Sequence, residues 1–143
     1  MPLSYIGGKS KISSFIVPYY SKDMETYLEC FSGMYWCFFN MNLDEYPKLK
    51  QIVYNDFNPL NVNLFRCLKE DHQKLLKECE KIPVQKKDEF PTPPECKKFF
   101  DDSQKEIYAE NFVIGNQPNY EVAAKHALIL SSVFSGANPE KSK

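Results

Sequence analysis

Two short runs rich in β-branched and aromatic residues, Thr26-Tyr27-Leu28-Glu29 and Gln51-Ile52-Val53-Tyr54, most constrain the fold. Between them lie the turn Cys30-Phe31-Ser32-Gly33 and a stretch from Tyr35 to Met41 apolar enough for a buried helix. Strand, turn, helix, strand is the order that a parallel pair needs, because parallel strands require a long crossover. Asn55-Asp56 ends the second run, and Pro59 begins a long helix at a tolerated first-turn position. Its stripe Leu64, Phe65, Leu68, His72, Leu75, Leu76, Cys79 steps by three and four. Upstream, the apolar Leu3-Ser4-Tyr5-Ile6 leads into Gly7-Gly8-Lys9, and Ile12, Phe15 and Ile16 fall on one helical face that Pro18 stops. Pro83, Pro91, Pro93 and Pro94 mark the segment from Ile82 to Cys96 as a loop. Tyr120, Ala123, Ala124, Ala127, Leu128, Ser131 and Phe134 then recur at helical spacing. The expectation is α/β: a βαβ part over residues 1–70, followed by a helical part over residues 71–143.

The chain of 143 residues is long enough for one sizeable core. Eighteen Lys and Arg against 19 Asp and Glu exclude binding of nucleic acid by bulk positive charge. Lys9, Lys11 and Lys22 read as a solvated scatter. No apolar run approaches the roughly 18 residues of a membrane span, and no signal segment opens the chain. The odd set Cys30, Cys37, Cys67, Cys79 and Cys96 has no C-x-x-C pair and reads as reduced thiols. The expected location is therefore cytoplasmic or nucleoid-associated. A zinc site on Cys67, His72 and Cys79 lacks a fourth ligand at sensible spacing, so no metal is expected. His72 reads as the edge of a packed face. His126, beside Lys125 and off its helix's apolar stripe, reads as solvated.

Chemistry concentrates at the strand ends. Gly33 lets backbone approach a ligand, and the following helix presents free N–H groups. Asp56 stands 23 residues beyond Gly33 at the end of the second strand, where a carboxylate can accept from two ribose hydroxyls. Gly7-Gly8-Lys9 makes a second bend where backbone can meet an anionic group, without Walker A spacing. An ordinary glycine turn capped by Ser10 accounts for the same residues. Spacing alone points to a nucleotide-type cofactor.

Together, Tyr5-Ile6-Gly7-Gly8-Lys9, Glu29-Cys30-Phe31-Ser32-Gly33 and Asn55-Asp56-Phe57-Asn58-Pro59-Leu60-Asn61-Val62-Asn63 resemble the N-terminal part of the DNA adenine methyltransferase (Dam) family. That family carries aromatic-x-Gly-Gly-Lys, Glu-Pro-Phe-x-Gly and Asn-Asp-x-Asn-x-x-apolar-apolar-Asn in this order. The resemblance implies a partial Rossmann-like methyltransferase sheet with a helical insertion subdomain, resembling the start of the DNA-recognition part. It implies S-adenosylmethionine as cofactor and N6-methyladenine in DNA as product. It places Tyr5, Gly8 and Lys9 toward the methionine end, Phe31 and Gly33 in the turn beneath the cofactor, and Asp56 on the ribose.

The departures carry their own expectations. Cys30 stands where the family has proline, and Met34, Tyr35 and Trp36 replace small residues. These side chains either fill the cofactor's volume or pack into the core. The catalytic Asp-Pro-Pro-Tyr segment, which holds a flipped base, is absent, and Thr92-Pro93-Pro94-Glu95 lies in the wrong place to serve. No catalytic residue is therefore assigned, and as a single chain it is expected not to transfer methyl groups. It reads as the cofactor lobe of a larger enzyme or, alternatively, as a pseudoenzyme or binding module that regulates a protein or DNA partner. In that case the stretch from Lys97 to Phe112 is the surface to examine. A short sheet exposes an edge, which invites a protein partner or a second copy.

Overall fold

The backbone N–H groups of Lys50 and Gln51 both donate to the Glu25 carbonyl, which draws the second β-forming run beside the first. The result is a parallel pair, β1 (Thr26–Glu29) and β2 (Gln51–Tyr54), with Tyr27 opposite Ile52 and Leu28 opposite Val53. The computed structural model describes residues 8–83, 85 and 92–132. The apolar run 3–6 and Phe134 of the last helical stripe lie outside the described residues.

Ahead of β1, α1 (Ser13–Ile16) is one turn long and runs into a 3-10 turn at Val17–Tyr19. The apolar face expected from Ile12, Phe15 and Ile16 does not form, since Ile12 and Phe15 are exposed. Ser13 and Val17 turn inward instead. One helical turn is too short for periodicity to set its facing, and Ser13 can be buried because its hydroxyl donates to the Ser10 carbonyl.

The crossover from β1 to β2 carries α2 (Trp36–Phe39) and a 3-10 turn at Leu43–Glu45. Val17, Tyr27, Tyr35, Cys37, Met41 and Tyr46 form the core of this half, with Phe38, Tyr54 and Phe65 packed against it. Leu28 and Ile52 remain exposed on the strands.

The long helix α3 (Pro59–Glu80) starts at Asn58, whose side chain accepts from the Leu60 N–H at 2.9 Å. It kinks at Asp71, where the backbone is extended and the carboxylate accepts from the Lys74 N–H, re-capping the second half. Leu64, Cys67 and Leu75 meet Ala123 and Ala124 of α5 (Tyr120–Ser132). The small alanines let the two backbones approach closely.

Helix α4 (Pro94–Ile107) starts inside the expected loop, with Pro94 at its first turn and Cys96 already helical. Its Ile107 packs with Leu60, Val122 and Ile129. Phe100 and Phe112 pack against this cluster, so two aromatic rings of the stretch 97–112 serve the interior. Asn63, fully buried, clasps the start of α5: its Nδ2 donates to the Asn119 carbonyl at 2.8 Å and its Oδ1 accepts from the Asn119 N–H at 2.9 Å.

Candidate functional site

The carboxyl ends of β1 and β2 are stitched to each other through the turn that follows each strand. Ser32 N–H donates to the Asn55 carbonyl at 3.0 Å, and the Ser32 hydroxyl donates back to the Glu29 carbonyl at 2.6 Å. Asn55 Nδ2 donates to the Cys30 carbonyl at 2.6 Å, and the Tyr54 hydroxyl to the Gly33 carbonyl at 2.7 Å. Gly33 is buried at φ 53, a left-handed conformation that glycine adopts without steric cost. That conformation turns its N–H onto Asp56 Oδ2 at 2.7 Å, a short charge-assisted bond.

Asp56 is thus already engaged. Its Oδ1 accepts from Asn58 N–H at 2.9 Å and from Asn61 Nδ2 at 3.2 Å. A carboxylate offers about four acceptor positions, and the described residues fill three of them. The expectation from sequence has this carboxylate accept from two hydroxyls; among the described residues one of its acceptor positions is unfilled. Two aromatic residues next to this point in the chain are open to solvent, Phe31 in the turn before Gly33 at 78% exposed and Phe57 directly after Asp56 at 96% exposed. Rings this open have flat apolar surface available to a planar ligand.

Among the described residues, the structure does not tie Gly8 or Lys9 to this centre by a hydrogen bond or ion pair. Gly8 is exposed, and the Lys9 carbonyl accepts from the N–H groups of Ile12 and Ser13, so this bend starts α1. The charges of Lys9 and Glu29 both act on the Cys37 thiol, which burial pushes up. No hydrogen bond or ion pair joins Lys9 to Gly33 or Asp56 among the described residues, and Tyr5 lies outside them. Lys22 pairs instead with Glu45 and lies over the Tyr46 ring.

Met34 and Tyr35 are buried and Trp36 is half-buried. Tyr35 holds a left-handed backbone, φ 58 and ψ 32, unusual for any residue with a Cβ. Its ring sits within 4.7 Å of the Phe38 centroid and 5.0 Å of that of Tyr54. Of the two options open from sequence, Tyr35 takes the inward one and becomes core. Its hydroxyl is buried with no hydrogen-bond partner among the described residues, and burial pushes its pKa up to about 12, with Glu29 adding.

The fold engages several residues to which the motifs assign no role. Glu29 accepts from the Tyr27 hydroxyl at 2.8 Å and so carries charge into the aromatic core beside the site. Asn61 is fully buried, although the motif has an apolar residue there; that mismatch is the available signal. His126 overturns the solvated reading: it is 0% exposed, and burial lowers its pKa to about 4. His72 is exposed and contacts Gln73. Cys67 is buried with its thiol pushed up to about 11, mainly by burial, and no metal-holding cluster forms among the described residues.

A family model for the D12 class N6 adenine-specific DNA methyltransferase matches residues 5–128. The chain belongs to this family. D12 class methyltransferases use S-adenosylmethionine. A curated relative is the modification methylase StsI of Streptococcus sanguinis, 35% identical over 65 residues. That stretch is 46% of this chain and 9% of the methylase, so the chain spans a small part of the relative's length. No solved structure matches the chain. In D12 terms, the matched region takes in β1, β2, the Gly33–Asp56 link and most of α5. No helix among the described residues is long and apolar enough to cross a membrane.

Proposed function

We propose that this chain is the S-adenosylmethionine-binding lobe of an adenine-specific N6 DNA methyltransferase. The observation that carries this reading is Asp56, held by the Gly33 N–H at the carboxyl end of a parallel strand pair. Open α/β sheets bind ligands in the crevice at that end. One unfilled carboxylate position suits a ribose hydroxyl, and Phe31 and Phe57 suit an adenine ring. Lys9 supplies a cation for the methionine carboxylate, and Tyr5 and Gly8 belong to the same sequence motif. The inward packing of Tyr35 supports room for the cofactor. In this reading β1 and β2 belong to a Rossmann-like sheet, and residues 71–143 to a helical subdomain on the DNA side.

Calorimetry with S-adenosylmethionine is expected to give micromolar binding that Asp56→Ala abolishes. No heat with the parent chain, or unchanged binding by Asp56→Ala, overturns the reading. Methyl transfer by this chain alone is not expected, because no Asp-Pro-Pro-Tyr segment is present. Methylated adenine in DNA incubated with the chain and cofactor would refute that part.

A second reading, a pseudoenzyme that regulates a protein or DNA partner, is favoured by Tyr35 standing where relatives have a small residue. The exposed Leu28 and Ile52 then belong to an interface with a second copy or another protein. A second copy predicts a dimer mass in size-exclusion chromatography with light scattering, lost in Leu28→Lys. A monomer at high concentration argues against self-association.

A further inference from the structure

His126 reaches the candidate site without touching it. Its Nε2 lies 2.9 Å from Asn61 Oδ1, and its Nδ1 lies 3.0 Å from the Tyr108 hydroxyl. Asn61 Nδ2 lies 3.2 Å from Asp56 Oδ1, and Gly33 N–H donates to Asp56 Oδ2. These contacts join α4's C-terminal Tyr108, α5, α3 and the turn after β2 into one line.

The protons along this line are determined by its end. An ionised carboxylate only accepts, so Asn61 must turn its amide nitrogen toward Asp56. Asn61 Oδ1 then faces His126 and requires a donor, which assigns the hydrogen to Nε2. Nδ1 is left as an acceptor, and the Tyr108 hydroxyl donates to it. A doubly protonated ring could donate at both nitrogens, since a tyrosine hydroxyl also accepts; complete burial selects the neutral ring, with Nε2 donating and Nδ1 accepting. Reversing the Asn61 amide would set its oxygen against the Asp56 oxygen and its nitrogen against the His126 N–H. A switch of the His126 tautomer could relieve the second contact but not the first, so the carboxylate fixes the orientation of the line.

We propose that His126 is a positioning residue for Asp56. Through Asn61 it occupies Oδ1, leaving the remaining position on Oδ2 to face the ligand beside Phe31 and Phe57. Asn61 stands where the family motif carries an apolar residue, so this support belongs to the present chain and not to the motif. The role rests on the cofactor reading of Asp56, but the link itself stands or falls separately.

The paired change Asn61→Leu with His126→Leu replaces both buried polar groups with apolar ones, which limits the stability cost to the contact that the Tyr108 hydroxyl loses. It takes one hydrogen bond from a charged group. Affinity for S-adenosylmethionine is expected to fall about tenfold. The Gly33 amide proton, which reports the bond to Asp56, is expected to shift in the unliganded chain. His126→Gln alone retains a donor near the Nε2 position and is expected to keep both readouts near the parent values.

If the paired variant folds and binds the cofactor like the parent, with an unmoved Gly33 amide, the proposal is overturned. If the parent itself gives no heat, the cofactor reading fails, while the Gly33 amide still decides whether the line holds Asp56. If His126→Gln loses as much as the paired variant, the side chain acts by its shape and the hydrogen-bond role is refuted.

Discussion

Between pH 6.5 and pH 4 the folded chain is expected to lose about 3 kcal/mol of stability through His126 alone. The unfolded ring takes a proton near 6.5, whereas the buried ring resists until about 4. Above the first value both states are neutral and the contribution is complete. As pH falls between the two, only the unfolded state gains the proton, so stability drains toward unfolding. Below the second value the loss is finished. Burial is the cause, and the groups bonded to the ring, Tyr108 and Asn61, are both uncharged. Glu45 and Glu121 are held below the usual carboxylate range by Lys22 and Lys125. Both carboxylates are exposed to solvent, so their pairs add little and only at lower pH. Urea unfolding at stepped pH should show this slope in the parent and a much flatter one in His126→Gln. A histidine resonance for His126 that titrates near 6.5 in the folded chain would contradict the account, even if the variant proved too unstable to compare.

The two strands were legible because their residues favour pleated backbone in any context and because glycine and Asn-Asp punctuate their ends. Asp56 was legible as a candidate for the same reason: it ends a strand at the right distance from Gly33. Its hydrogen-bond load was not, since Asn58 and Asn61 come from the helix start and only the fold closes them onto the carboxylate. His126 was misread for a specific reason. A stripe count assumes that a helix has one buried face, but α5 is covered by α3 through Ala123 and Ala124 and by α4 through Val122 and Ile129. A helix apolar over most of its circumference buries whatever lies on it, and the run from Val122 to Leu130 carries that signal. The face expected on α1 failed for the opposite reason, because a single turn has no periodicity to read. Phe100 and Phe112 show the same limit: their aromatic character is evident from sequence, while the surface they cover is set by packing with Ile107 and Ile129.

Tyr35→Gly is expected to cost about 3 kcal/mol and to leave cofactor affinity unimproved. The ring packs against Tyr27, Phe38, Phe39, Tyr54 and Phe65, and deleting it opens an aromatic-sized cavity in the core of this half. Glycine regains part of that loss, on the order of 1 kcal/mol, because a left-handed backbone suits it. Tyr35→Phe separates the ring from its hydroxyl. The hydroxyl is buried and unpartnered among the described residues, so removing it is expected to be neutral or to stabilise by about 1 kcal/mol. Thermal unfolding of the two variants gives opposite signs if the ring is a core residue and the hydroxyl a liability. Affinity decides the remaining question. A small residue at this position lets backbone approach a cofactor, so if Tyr35 occupied the ligand's volume, Tyr35→Gly would bind S-adenosylmethionine more tightly than the parent. Because the ring lies inside the core and Phe31, Phe57 and the open side of Asp56 lie outside it, the substitution should disturb the scaffold under the site without enlarging the site. A gain in affinity would move the chain to the pseudoenzyme reading, with Tyr35 as the residue that closed the cleft.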